Sequence, residues 1–117
     1  MMDYSEAVID HAKSPRNFGD LPKATHEGKG SNATCGDMVE FYLIVDNGKV
    51  KEAKFRGVGC ALSTAMASML TEKVVGMKVG EVKKMDKEIV EELMGEVNPA
   101  RMKCVLLPVE TMRSIME

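Results

Sequence analysis

The stretch Val39-Glu40-Phe41-Tyr42-Leu43-Ile44-Val45-Asp46-Asn47-Gly48-Lys49-Val50-Lys51-Glu52-Ala53-Lys54-Phe55-Arg56-Gly57-Val58 decides the fold. Val39, Phe41, Leu43 and Val45 alternate with Glu40, Tyr42 and Ile44, the period of a strand with one buried face. Asn47-Gly48 then separates this run from a second one. Both residues tolerate the positive φ that a two-residue hairpin turn requires, so an antiparallel hairpin is predicted. In the second strand, Lys49–Arg56, Val50 is out of step with Ala53 and Phe55, which predicts a bulge.

Upstream of the hairpin, Asp3 with Glu6 three positions later has the pattern of a capping box and predicts a helix start. Val8, Ile9 and Ala12 supply its apolar face, and Ser14-Pro15 ends it, because proline disfavours helical geometry in the residue before it. Residues 16–34 are rich in Gly, Asn, Pro and Ser and read as irregular, with a short strand near Ala24–Gly28. Downstream, the period changes after Gly59-Cys60. Leu62, Met66, Leu70 and Val74 lie four apart on one helical stripe with Met69 beside them, and Gly76 is a natural stop. One or two shorter helices follow within Val79–Met94, and Asn98-Pro99 breaks the chain. A last helix carries Val105, Val109, Met112 and Met116 on one face. Proline is tolerated mainly in a first turn, so Pro108 predicts that this helix begins near Cys104–Leu107. Strands first and helices after predict an α+β class, a small antiparallel sheet of about three strands with helices packed on one face.

The 117 residues are one domain's worth, read as a single domain spanning 1–117. A hydrophobic fraction of 44% and a charged fraction of 29% are those of a soluble globular protein. A net charge of −2 gives no bulk drive toward nucleic acid or an anionic membrane. No apolar run approaches the roughly 20 residues of a membrane span, and Met1–Glu6 lacks the character of a signal or transit peptide. The expected location is cytoplasmic. The 11 methionines and the absence of tryptophan make Met, Val, Leu and Ala the core material.

Three cysteines, an odd number, argue against a closed set of structural disulfides. Each falls at a junction: Cys35 ahead of Gly36-Asp37 at the entrance to the hairpin, Cys60 where the second strand gives way to a helix, Cys104 just before the last helix. Cys60 and Cys104 thus lie near helix N-termini, where the dipole and unpaired N–H groups favour a thiolate, and Arg101 and Lys103 add positive charge beside Cys104. The thiolate is both nucleophile and metal ligand. A hairpin brings its ends together, so Cys35, Asp37 and Cys60 can converge, with Cys104 delivered by the fold. Glycines around Cys35 and Cys60 allow close backbone approach to a ligand. Yet separations of 25 and 44 positions match no compact zinc motif. By spacing alone, three unrelated buried thiols remain an equal reading.

The chain also resembles a known family. Tyr4-Ser5-Glu6, Val8-Ile9-Asp10-His11 and Ser14-Pro15-Arg16-Asn17 resemble the N-terminal signature of the IscU/NifU-type iron–sulfur scaffold proteins. Cys35-Gly36-Asp37, Gly57-Val58-Gly59-Cys60 with its small-residue helix (Ser63, Ala65, Ala67, Ser68), and Lys103-Cys104 are similar to that family's three cysteine sites, in order. The resemblance covers essentially the whole chain and implies an IscU/SufE-like fold. It implies a scaffold, not an enzyme, that accepts persulfide sulfur from a PLP-dependent cysteine desulfurase, takes iron from an iron donor, assembles a [2Fe–2S] cluster and passes it to apo acceptor proteins. The ligand roles it implies fall on Cys35, Asp37, Cys60 and Cys104, with Asp37 affecting cluster lability and Cys104 as first acceptor of the persulfide sulfur.

Two departures from the pattern matter. Lys103 stands where many bacterial members carry His, and a protonated lysine is a poor ligand. The fourth ligand is then Asp37, water, or a group from another subunit in a homodimer that shares the cluster. Val97-Asn98-Pro99-Ala100-Arg101 replaces the Leu-Pro-Pro-Val-Lys segment that engages an Hsp70-type chaperone. The Arg101-x-Lys103-Cys104 pattern is closer to the SufU-type branch, zinc-binding sulfurtransferases that use the same Asp and cysteines. The insertion that branch carries between its second and third cysteines is absent between Cys60 and Cys104, which favours the scaffold. His11 and His26 read as structural or exposed, and Lys83-Lys84 to Lys87 as a solvated helix face. Desulfurase docking falls to the N-terminal segment and the cysteine-bearing loops.

Overall fold

A computed structural model describes residues 4–33 and 36–117. Helix α1 (Glu6–Lys13) leads into strands β1 (His26–Asn32), β2 (Asp37–Asp46) and β3 (Lys49–Val58). Helices α2 (Ala61–Val74), α3 (Val79–Lys83), α4 (Glu88–Met94) and α5 (Met102–Ile115) follow, α5 preceded by a 3₁₀ turn, Pro99–Arg101. The sheet is antiparallel throughout, in the order β1-β2-β3. No helix among the described residues is long and apolar enough to cross a membrane.

The hairpin forms as its sequence predicts. Asn47 and Gly48 both adopt positive φ, 53° and 75°, the mirror-image turn whose twist matches the flanking strands. The bulge is also present: Ile44 faces Glu52 and Val45 faces Val50, which leaves Lys51 as the extra residue. That one-residue insertion returns Val50 to the face of Ala53 and Phe55, and all three are buried.

Strand β1 runs from His26 to Asn32, longer and later than the segment expected near Ala24–Gly28. Its inward positions include Gly28 and Gly30 because α5 occupies the space their side chains would take. A Cβ at Gly28 would meet Ile115, and one at Gly30 would meet Thr111 and Leu107. The outer edge of β3 is covered by two irregular segments. Gly19 N–H donates to Phe55 O and Phe55 N–H to Asn17 O (2.8 and 2.9 Å), while Gly76 N–H donates to Val50 O and Val50 N–H to Met77 O (2.8 and 2.9 Å). An edge so covered offers no template for another chain.

Helix α1 starts later than expected. Its cap is Ser5, whose Oγ accepts from Val8 N–H at 3.3 Å; Asp3 lies outside the described residues. Its buried face is Val8 and His11, whereas Ile9 is 44% exposed. Helix α2 is buried on nearly every side, through Ser63, Ala65, Met66, Ala67, Ser68, Met69, Leu70, Thr71 and Val74, the mark of a central helix and not of a one-stripe surface helix. It packs beside β3 and α5 with Phe41, Leu43, Phe55 and Met112. Each such side chain contributes about 1.5–3 kcal/mol on burial. Helix α5 begins at Met102, ahead of the start expected from Pro108, which lies inside the helix and gives up one helical hydrogen bond. The Asn98 side chain, accepting from Ala100 N–H at 2.9 Å, starts the 3₁₀ turn that sets this earlier beginning. Val105, Val109, Met112 and Met116 are buried as their spacing predicts.

Candidate metal centre

Three of the four residues singled out from the sequence meet at one end of the sheet. Asp37 is the first residue of β2, and the pairing of Met38 with Val58 places it beside Gly59. Cys60 is the N-cap of α2, and Cys104 is the third residue of α5. One ligand atom from each of Asp37, Cys60 and Cys104 lies within 4.8 Å of the others. Both thiols therefore stand at helix N-termini, as expected. Cys35 lies outside the described residues; the chain leaves β1 at Asn32 and enters β2 at Asp37, its pairing partner.

Asp37 is only 2% exposed. Its Oδ1 accepts a hydrogen bond from Cys60 N–H at 3.0 Å. Its Oδ2, among the described residues, is a buried side-chain oxygen with no hydrogen-bond partner. A buried carboxylate oxygen without a partner is costly, and a bound cation would relieve that cost. Two thiols and one carboxylate, gathered within 4.8 Å of one another, are a donor set that suits zinc or iron on the softness of sulfur. The donor set thus fits a metal.

Exposure differs across the site. Cys104 is buried at 1%, and Cys60 is half-buried. Arg101 and Lys103 are both exposed. The glycine expected to let backbone approach a ligand has a more specific neighbour: a Cβ at Gly59 would press into the Asp37 carboxylate.

Neither histidine joins this group. His26 Nδ1 bonds Thr25 Oγ1 at 2.9 Å. His11, 9% exposed, is structural: its Nδ1 lies 2.7 Å from Ser68 Oγ, which also accepts from Arg16 N–H at 2.8 Å. On the other side of the ring, Nε2 lies 3.4 Å from Glu72 Oε1. Desolvation holds His11 below its ordinary pKa, helped by the Arg16 guanidinium and opposed by Glu72 and Asp10. Asn17 Nδ2 donates to Thr71 Oγ1 at 3.1 Å, and Arg16 pairs with Asp10. The segment Ser14–Asn17 is therefore a clamp on α2, a role that only the buried hydroxyls Ser68 and Thr71 reveal. Lys83, Lys84 and Lys87 are exposed, as a solvated face.

Comparison with known proteins agrees with this geometry. The NifU-like N terminal domain model matches residues 3–116. The chain is 38% identical over 133 residues to the iron–sulfur cluster assembly scaffold protein IscU of Thermotoga maritima, covering 99% of this chain and 94% of that one. It is 34% identical over 93 residues to the zinc-dependent sulfurtransferase SufU of Bacillus subtilis, covering 80% of this chain and 63% of that one. Among solved structures, FiSufU from Fervidobacterium islandicum superposes with a TM-score of 0.79 at 27% identity, covering 97% of this chain and 96% of that one. With the fold, the placement of Asp37, Cys60 and Cys104 and these relatives in accord, the chain belongs to the NifU-like N-terminal domain family.

Proposed function

We propose that this protein, read as a single domain over residues 1–117, is a scaffold for assembly and transfer of [2Fe–2S] clusters, held by Cys35, Asp37, Cys60 and Cys104. The observation that carries the reading is the convergence of Asp37, Cys60 and Cys104 within 4.8 Å around a buried carboxylate oxygen that has no hydrogen-bond partner among the described residues. Thiolates bind iron strongly, and one oxygen ligand among them leaves a cluster that can be given up. The protein has no turnover of its own in this reading. Sulfur comes from a PLP-dependent cysteine desulfurase: the Cys104 thiolate attacks the outer sulfur of the donor's persulfide, forming a Cys104 persulfide and releasing the donor cysteine thiolate. Because Cys104 is 1% exposed, this step needs the groups that cover its thiol to move aside. Iron comes from a separate donor, and apo proteins receive the finished cluster. A cytoplasmic location suits the chemistry, since thiols stay reduced there.

The 34% identity to a SufU sulfurtransferase favours a second reading, in which Zn²⁺ occupies the same ligands and the protein only relays sulfur. Anaerobic incubation with a desulfurase, cysteine and ferrous iron, followed by iron, zinc and acid-labile sulfide analysis, separates the two. A scaffold develops [2Fe–2S] visible absorption with matching iron and sulfide. Retention of about one zinc per chain with no such absorption sinks the scaffold reading in favour of the relay.

A further inference from the structure

Asp37 and Gly59 are fixed on neighbouring backbones. Asp37 pairs with Asn32 of β1, and the next pair along, Met38 with Val58, holds the strand that leads into Gly59. A Cβ built on Gly59 would overlap Asp37 Oδ1 and stand 2.9 Å from its Cγ and 3.2 Å from its Cβ. The carboxyl group is 2% exposed, so it has no solvent to retreat into. Since the strand pairing holds the Asp37 backbone, its side chain is the part that yields most cheaply, by leaving its rotamer. That movement takes Oδ1 off the Cys60 amide, now 3.0 Å away, and turns Oδ2 from its present direction.

We propose that Gly59 is a positioning residue for the oxygen ligand: its missing side chain holds Asp37 in the rotamer that commits Oδ1 to Cys60 N–H and leaves Oδ2 for the metal. This rests on the reading of Asp37 as a ligand, and Gly59 acts only through it. The role differs from that of a turn glycine, because the space is filled by a carboxylate and not required by backbone conformation. It also explains why the strand-to-helix junction tolerates Val58, an exposed β-branched residue, directly before it, yet has no room for a methyl group at the next position.

The test is a double-mutant cycle on the full chain with Zn²⁺ alone as probe. Wild type, Gly59→Ala, Asp37→Ala and the double variant are titrated against a chromophoric chelator and melted in EDTA. Gly59→Ala is expected to weaken Zn²⁺ binding about 10- to 100-fold, the usual effect of losing a group that orients a ligand. In the Asp37→Ala background, where the clashing carboxylate is gone, the same substitution should change affinity by less than about twofold, the limit of ordinary additivity. The melting temperature should follow the same pattern. A Gly59→Ala protein that fails to fold alone but folds beside Asp37→Ala also supports the coupling. Equal losses in both backgrounds overturn the proposal, as does a Gly59→Ala protein with wild-type affinity when Asp37→Ala has lost it. Wild-type affinity in Asp37→Ala removes the ligand reading itself, and the proposal with it.

Discussion

Asp37→Ala should have opposite effects on stability with and without metal. In the metal-free protein the carboxylate is buried at 2% exposure and, among the described residues, accepts one hydrogen bond, from Cys60 N–H. That bond to a charged acceptor contributes about 1.5–3 kcal/mol, and proximity to the α2 N-terminus adds up to about 2 kcal/mol. Against these stand the several kcal/mol that a buried ion loses in hydration and about 1–3 kcal/mol for the unpartnered Oδ2. The opposing contributions nearly cancel, with the Oδ2 atom tipping the balance against the side chain. Metal-free Asp37→Ala is therefore expected to be as stable as wild type or more stable by about 1 kcal/mol, which for a domain of this size raises the melting temperature by roughly 4 °C. With Zn²⁺ at about 100 times its dissociation constant, the wild type gains about 2.7 kcal/mol by mass action. The variant, short of one ligand, gains less. The assay is thermal melting followed by circular dichroism, in EDTA and in Zn²⁺. The order of the two proteins should reverse between the conditions. A metal-free variant that melts more than about 4 °C below wild type would show that Asp37 is a structural group whose hydrogen bond outweighs its burial.

Two further outcomes follow from the clamp on α2. His11 is held below its ordinary value of 6.5, so the unfolded chain binds more protons near that pH and stability rises with pH there. The contribution is complete above pH 6.5 and is lost as pH falls through the lower folded value; urea midpoints at pH 7.5 and 5.5 should diverge for wild type and converge for His11→Gln, and an undiminished pH dependence in the variant would assign it elsewhere. Ser68→Ala removes the shared partner of His11 Nδ1 and Arg16 N–H and should cost about 1–3 kcal/mol in urea, with faster hydrogen exchange at the Arg16 amide. A change below about 0.5 kcal/mol would mean that water replaces the hydroxyl at no loss.

The hairpin was legible because its signals are local: alternation, a turn dipeptide and a single step out of phase. Strand β1 was hidden for a packing reason. His26–Asn32 contains no apolar side chain, since Ile115, Thr111 and Leu107 of α5 fill the space beside Gly28 and Gly30. The hydrophobic signal for β1 is thus written in a helix some 80 residues later. Helix α2 was placed correctly, but its single apolar stripe understates its burial, because the small polar residues Ser63, Ser68 and Thr71 are buried as well. Pro108 misled in the other direction: a proline that tertiary packing accommodates does not mark a helix start. At the site, the closing ends of the hairpin anticipate the meeting of Asp37 and Cys60, whereas Cys104 joins them through the packing of α5, which no local pattern gives. The hydrogen bond that orients Asp37, and the glycine beside it, depend on a strand register that no local pattern encodes.

The donor set itself suits both zinc and an iron cluster, so the softness of two thiols cannot say why the chain carries a carboxylate at Asp37. Stability offers an answer. An alanine there gives up no ionic hydration on burial, and the metal-free fold is expected to be no worse for it. On the proposed ligand reading, a chain that keeps a buried carboxylate here gives up stability for function at that position, and the function is to meet a positive charge that arrives later. This is why the reversal between EDTA and metal is a sharper measurement than loss of activity. Any damage to the core would lower activity. Only a residue that destabilises the fold without a cation and stabilises it with one changes the order of the two proteins, and no rearrangement of the apolar core alone can produce that change of sign.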